Sequence, residues 1–173
     1  MLRLMTALFA LVVGSQAQAA DLEAPFASID GGPLVLSQWE GQPILVVNTA
    51  SQCAFTKQYR GLQDLYDTYR DRGLVVVAVP SDDFQQELES NAEVKEFCEL
   101  QYGIDMPMTT ITNVKGSNAH PFYVSLREEA DFVPSWNFNK VLIGPDGAVV
   151  DTYGPNVRPR SQKLIREIEA LLN

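Results

Sequence analysis

The chain has 173 residues, two cysteines, one histidine and a formal charge of −9, enough for one domain with a core of its own. The acidic balance argues against nucleic acid and anionic membrane surfaces as partners. No His/Cys/Asp group has metal-ligand spacing and no Gly-rich phosphate loop occurs, so no metal or bound cofactor is expected.

The first residues read as a secretory leader. Met1-Leu2-Arg3 precedes an apolar run from Leu4 to Val13, followed by small residues ending Ala17-Gln18-Ala19. One positive charge, a short apolar stretch and an Ala-x-Ala exit predict a signal peptide over 1–19, with a single mature domain over 20–173. The run is too short for a stable membrane anchor, which needs about 20 apolar residues. Export, to the periplasm, follows as the expectation, and with it an oxidising compartment.

Next come Leu34-Val35-Leu36, a short edge element, and Ile44 to Asn48, an apolar strand. Apolar or aromatic residues at 55, 59, 62, 65, 66 and 69 predict a helix over 55–70, stopped by Gly73. Leu74 to Val79 is continuously apolar, as in a central parallel strand covered on both faces. After a polar loop at 80–89, a helix is expected over 91–102, capped by Ser90 or Asn91 and ended by Gly103. A shorter helix is expected over 118–127. Pro145-Asp146-Gly147 marks a hairpin between strands at 140–144 and 148–153, and 161–172 reads as an amphipathic helix. Strand, helix, strand, helix, helix, hairpin, helix is an α/β order, and it matches the thioredoxin-like fold: a central mixed sheet flanked by helices, with 55–70 and 161–172 covering it. In such sheets the active site lies beyond the carboxyl ends of strands.

Cys53 falls there, between the strand ending at Asn48 and the helix that follows. Main-chain N–H groups and the positive end of a helix dipole aimed at a sulfur favour its nucleophilic form. The segment Cys53-Ala54-Phe55-Thr56 has no second cysteine, which disfavours a dithiol oxidoreductase and suggests chemistry by one attacking sulfur. A buried structural cysteine, or a Cys53–Cys98 disulfide, is the plainer alternative.

Asn48-Thr49-Ala50-Ser51-Gln52-Cys53-Ala54-Phe55-Thr56, Gln58-Tyr59 and Gly61-Leu62 resemble the peroxidatic segment of the glutathione peroxidase family in its cysteine form. The similarity continues through Val79-Pro80, Phe84, Gln86-Glu87, Ala119-His120-Pro121 and Ser135-Trp136-Asn137-Phe138. It implies a catalytic tetrad of Cys53, Gln86, Trp136 and Asn137. A thiolate would break the peroxide O–O bond, an indole and two amides would donate to the departing oxygen, and Cys53 would become a sulfenic acid. Ala50 stands where a peroxiredoxin needs threonine.

Where the family has Asn-Gln-Phe-Gly, this chain has Asp82-Asp83-Phe84-Gln85, about one residue short of the family loop, which leaves Gln85 beside Gln86 as a candidate. Gln52 replaces a common lysine, with Lys57 as the nearest substitute. Cys98 sits one position from the resolving cysteine of thioredoxin-using relatives and is either that residue or an inert core thiol. His120 is expected to cap or pack.

The resemblance implies hydroperoxide substrates, including lipid hydroperoxides. Without a long insertion between 127 and 135 it implies a monomer. No basic cluster is evident to hold glutathione carboxylates, which favours a thioredoxin-like protein over glutathione as reductant. A redox sensor or exchange module on the same fold is the non-enzymatic alternative.

Overall fold

The computed structural model describes residues 20–172. The leader expected at 1–19 lies outside the described residues. A four-stranded mixed sheet has the order β4-β3-β5-β6. β3 (Ile44–Thr49) pairs parallel with β4 (Val75–Pro80) and antiparallel with β5 (Lys140–Ile143), which forms the hairpin with β6 (Val149–Tyr153).

Both β3 and β4 are buried along their whole length. β3 is central as its apolar sequence requires, but β4 is the edge of the sheet. Its exposed side is covered by the 107–109 segment, through Ala78 N–H to Pro107 O and Thr109 N–H to Ala78 O. An edge covered this way needs no charges to protect it, so it reads as a central strand. The 34–36 element is also revised. Pro33–Leu34 (β2) pairs with Phe26–Ala27 (β1) in a separate ribbon, and Leu36 begins a 3₁₀ turn.

One face of the sheet carries α1 (Gln58–Tyr69), α2 (Asn91–Tyr102) and α4 (Gln162–Leu171). Their Tyr59, Leu62, Leu65, Val94, Cys98, Leu164 and Ile168 close on Leu45, Val47, Val76 and Leu142. The other face holds α3 (Pro121–Ala130), whose Phe122, Tyr123 and Leu126 meet Val46, Val77, Val141 and the N-terminal ribbon. Thus the two helices expected to cover the sheet lie on the same side.

Helix ends follow local chemistry. Ser90 and Glu93 form a reciprocal capping box at the start of α2, and Gly103 ends it in the left-handed conformation, φ 64°. The third helix starts at Pro121 rather than 118. Proline has no N–H to lose at a first turn, and His120 Nδ1 accepts the N–H of Phe122. Helix α1 starts at 58 rather than 55. Thr56 takes the Cys53 N–H on its hydroxyl at 3.0 Å and returns its O–H to Ala50 O and Cys53 O, so residues 53–57 form a wound turn ahead of the helix. No helix among the described residues is long and apolar enough to cross a membrane.

Candidate active site

Cys53 lies in that turn, just past the carboxyl end of β3, and is only 8% exposed. Its sulfur accepts one hydrogen bond among the described residues, from Phe55 N–H at 3.4 Å. The helix α1 terminus is five residues further on, so this local N–H replaces the direct helix start expected from the sequence.

Beside the cysteine turn runs the loop after β4. Gln52 N–H donates to Gln86 O at 2.9 Å, and Ser51 N–H to Glu87 Oε1 at 3.0 Å. Glu87 is therefore fastened two residues from the sulfur. The loop is held by its own acids: Asp82 Oδ1 accepts from Glu87 N–H, and Asp83 Oδ2 accepts from Val114 and Lys115 N–H. Gln85 has φ 56°. It occupies the conformation that favours glycine, the residue the family has there, and its side chain is exposed.

Gln86 instead meets Asn137. The Asn137 Nδ2 donates to Gln86 Oε1 at 3.4 Å, while the Gln86 amide N–H group and the Trp136 indole N–H donate to no other protein group among the described residues. Asn137 is fully buried and its Oδ1 has no partner. Trp136 is 37% exposed, leaning on Phe84 with ring centroids 5.2 Å apart. That exposure excludes a core role for the indole. Its main-chain O is held by Asn48 Nδ2 and Asn139 Nδ2, and Asn139 N–H returns to Asn48 Oδ1. Strand β3 thus anchors both the cysteine turn and the tryptophan turn.

Three of the tetrad positions expected from the sequence are accordingly linked through short contacts, Cys53 by way of Gln52, Gln86 and Asn137. Trp136 adjoins Asn137 in the chain, and no direct hydrogen bond joins its indole to the Cys53 sulfur among the described residues.

Cys98 is a free thiol, as is Cys53. It is 1% exposed in the middle of α2, and burial pushes its pKa up to about 12, against the smaller opposing effect of the Tyr59 hydroxyl. That hydroxyl faces Thr49 and Cys98 but completes a hydrogen bond with neither. His120 caps α3, stacks on Phe26 at 3.7 Å and contacts Pro25 O through Nε2, so its ring is committed to packing.

Two features escaped the sequence reading. A groove of about 450 Å³ begins one residue past Cys53 and gathers Lys57, Arg158 and Arg160 around Ala54, Phe55 and Pro159. The expectation that no basic cluster exists is corrected: Lys57 is far from Arg158 and Arg160 in the chain and meets them only in the fold. Arg160 is partly engaged by Asp64 at 3.5 Å. The other is Lys140, wholly buried beneath α1. A lysine opening an apolar strand, Lys140-Val141-Leu142-Ile143, is the one signal that pointed to it.

Burial raises the Glu87 carboxyl pKa above its usual value, with hydrogen bonds from Ser51 and Leu88 opposing. The folded state therefore holds this proton to higher pH than the unfolded chain, and the stabilising contribution is lost as pH rises from about 4.5 through the raised value. Glu87→Gln keeps an acceptor for Ser51 and removes the titration. Urea unfolding over pH 4–8 is expected to show wild-type stability falling relative to Glu87→Gln; parallel curves would contradict this.

The model of the family "Glutathione peroxidase" matches residues 22–127. A Lactococcus lactis glutathione peroxidase is 40% identical over 149 residues, covering 83% of this chain and 94% of that protein. A hydroperoxy fatty acid reductase of Synechocystis is 40% identical over 156 residues, covering 84% and 91%. In fold, a thioredoxin-family thiol:disulfide interchange protein of Chlorobium tepidum superposes with a TM-score of 0.71 at 18% identity, covering 93% of this chain and all of that one.

Proposed function

The chain belongs to the glutathione peroxidase family and is a thiol peroxidase, and on that premise we propose that Cys53 attacks the peroxide while Gln86, Asn137 and Trp136 serve the departing oxygen. What supports this assignment above all is the Asn137–Gln86 contact, made beside the cysteine turn by residues 51 apart in sequence. Neutral N–H donors left unpaired by the fold stabilise developing charge on oxygen without neutralising the nucleophile.

The steps balance simply. The Cys53 sulfur takes the terminal oxygen of ROOH, the O–O bond breaks, and RO⁻ gains a proton to leave as ROH, with Cys53–SOH remaining. A thiol then condenses with the sulfenic acid and releases water, and a second thiol opens the resulting disulfide. The Synechocystis relative is named for hydroperoxy fatty acids. Organic hydroperoxides are accordingly the proposed substrate class, with exposed Trp136 and half-buried Phe84 offering apolar surface to the acyl part.

The proposed reductant is a thioredoxin-like protein, with Cys98 as resolving thiol. Helix α2 buries only Val94 and Cys98 among its twelve residues, whereas α1 buries five. Unwinding α2 to bring the two sulfurs within disulfide reach costs less burial than disrupting its neighbour. Glutathione is the second reading, favoured by the cationic groove. Export through the leader at 1–19 and action as a monomer complete the proposal.

Steady-state peroxide consumption tests the roles. Cys53→Ser is expected to abolish turnover, and Trp136→Phe to lower it by about 10²–10³-fold, the usual worth of one such donor. Cys98→Ser is expected to spare oxidation by one equivalent of peroxide but to stop turnover with thioredoxin. Turnover surviving in Cys53→Ser contradicts the assignment, and faster turnover with glutathione overturns the protein donor. Intact mass of the protein made from the full chain in a bacterial host is expected to show a chain beginning at Ala20, recovered in the periplasmic fraction; a chain beginning at Met1 and held in the cytoplasm contradicts export.

A further inference from the structure

Lys140 is the one cationic side chain fully buried among the described residues, and it makes no salt bridge there. It opens β5, opposite Val47 of β3 and Tyr153 of β6, and shares with them the face beneath α1. Its Nζ has two partners, both neutral oxygens at 2.7 Å: Oε1 of Gln58 and the main-chain O of Phe138. A buried ammonium with no carboxylate is costly, several kcal/mol before compensation. The strand does not need it, since a methionine of similar length fills such a site without charge.

The two partners explain its place. Gln58 is the first residue of α1, directly after the turn that carries Cys53, and its own Nε2 is tied to Pro155 O. Phe138 follows Asn137 and holds φ 64°, a left-handed backbone that strains a bulky residue. That backbone turns the chain so that Asn137 reaches Gln86 while the Phe138 carbonyl points back under the sheet. Phe138 N–H is fixed by Asn48 O and its carbonyl by Lys140. Remove the lysine and the strained residue keeps only one of these two ties.

We propose that Lys140 is a positioning residue of the peroxidase site, a buried strut that fastens the Trp136–Asn137 turn to the head of the helix following Cys53. It touches neither sulfur nor peroxide. Burial lowers its pKa to about 7, yet a neutral amine still carries two N–H bonds, one for each acceptor, so the strut holds in either charge state.

The strut rests on the assignment of Cys53 and its donors, and the test separates the two. Stopped-flow oxidation by hydrogen peroxide is measured alongside alkylation of Cys53 by iodoacetamide, which needs the sulfur but not the donors. Lys140→Met is expected to slow oxidation at least ~10-fold, since a displacement of about 1 Å in such a site costs up to 10²-fold, with alkylation changed less than ~3-fold on the same basis. Gln58→Ala, at a half-buried position, is expected to give a smaller loss in the same direction, and it decides the matter if Lys140→Met does not fold. Wild-type oxidation in Gln58→Ala or Lys140→Met, or equal losses of oxidation and alkylation, overturns the strut. Slow oxidation of the wild-type protein itself would instead overturn the role of Cys53.

Discussion

Everything about this site depends on the central place of β3. Because β4 runs parallel to it, the chain leaves both strands at the same end of the sheet. Because β5 runs antiparallel to it, the chain enters β5 at that same end. Cys53 after β3, Gln86 after β4, and Trp136–Asn137 before β5 are therefore delivered to one rim from three separate stretches. No long-range search is needed beyond forming the sheet, and the register fixes which residues meet. Asn48, the penultimate residue of β3, shows how closely strand and site are joined, since its side chain holds the tryptophan turn while its backbone still pairs in the ladder.

Around that rim the fold accepts costs that a purely structural domain would avoid. Two of the three non-glycine residues with positive φ among the described residues, Gln85 and Phe138, adjoin proposed donors. Among the described residues the one buried carboxyl, Glu87, stitches the loop after β4 to the cysteine turn, and the one buried ammonium, Lys140, ties the tryptophan turn to the head of the helix that follows it. Asn137 keeps a buried oxygen without a partner. Strain, buried charge and unpaired polar atoms gathered in one place mark a preorganised site rather than a packing solution.

Much of this was legible in the sequence because it is written in local signals. The apolar runs of β3 and β4, the Ser90 cap, Gly103 and the Pro145–Gly147 hairpin each depend on a few neighbouring residues. The proposed site residues were legible through the family pattern, which also explains why Gln85 sits where a glycine is usual. What escaped depends on tertiary placement. The start of α1 moved because the Thr56 hydroxyl winds the preceding turn, an effect with no period. That β4 is an edge follows from the 107–109 segment lying against it. Lys57 and Arg158 are ordinary surface cations until the C-terminal loop brings them together, and Lys140 is an ordinary strand residue until helix α1 closes over it.

The central claim is that a nearly buried sulfur, placed beside preorganised neutral donors, breaks an O–O bond. Single-turnover stopped-flow of the reduced protein with hydrogen peroxide, followed by indole fluorescence in a Trp39→Phe background that leaves Trp136 as the one tryptophan, tests it most directly. The account predicts a second-order rate at least ~10³-fold above that of free cysteine at the same pH, the scale that preorganised donors supply, with the indole signal changing in step. A rate no faster than free cysteine would contradict it.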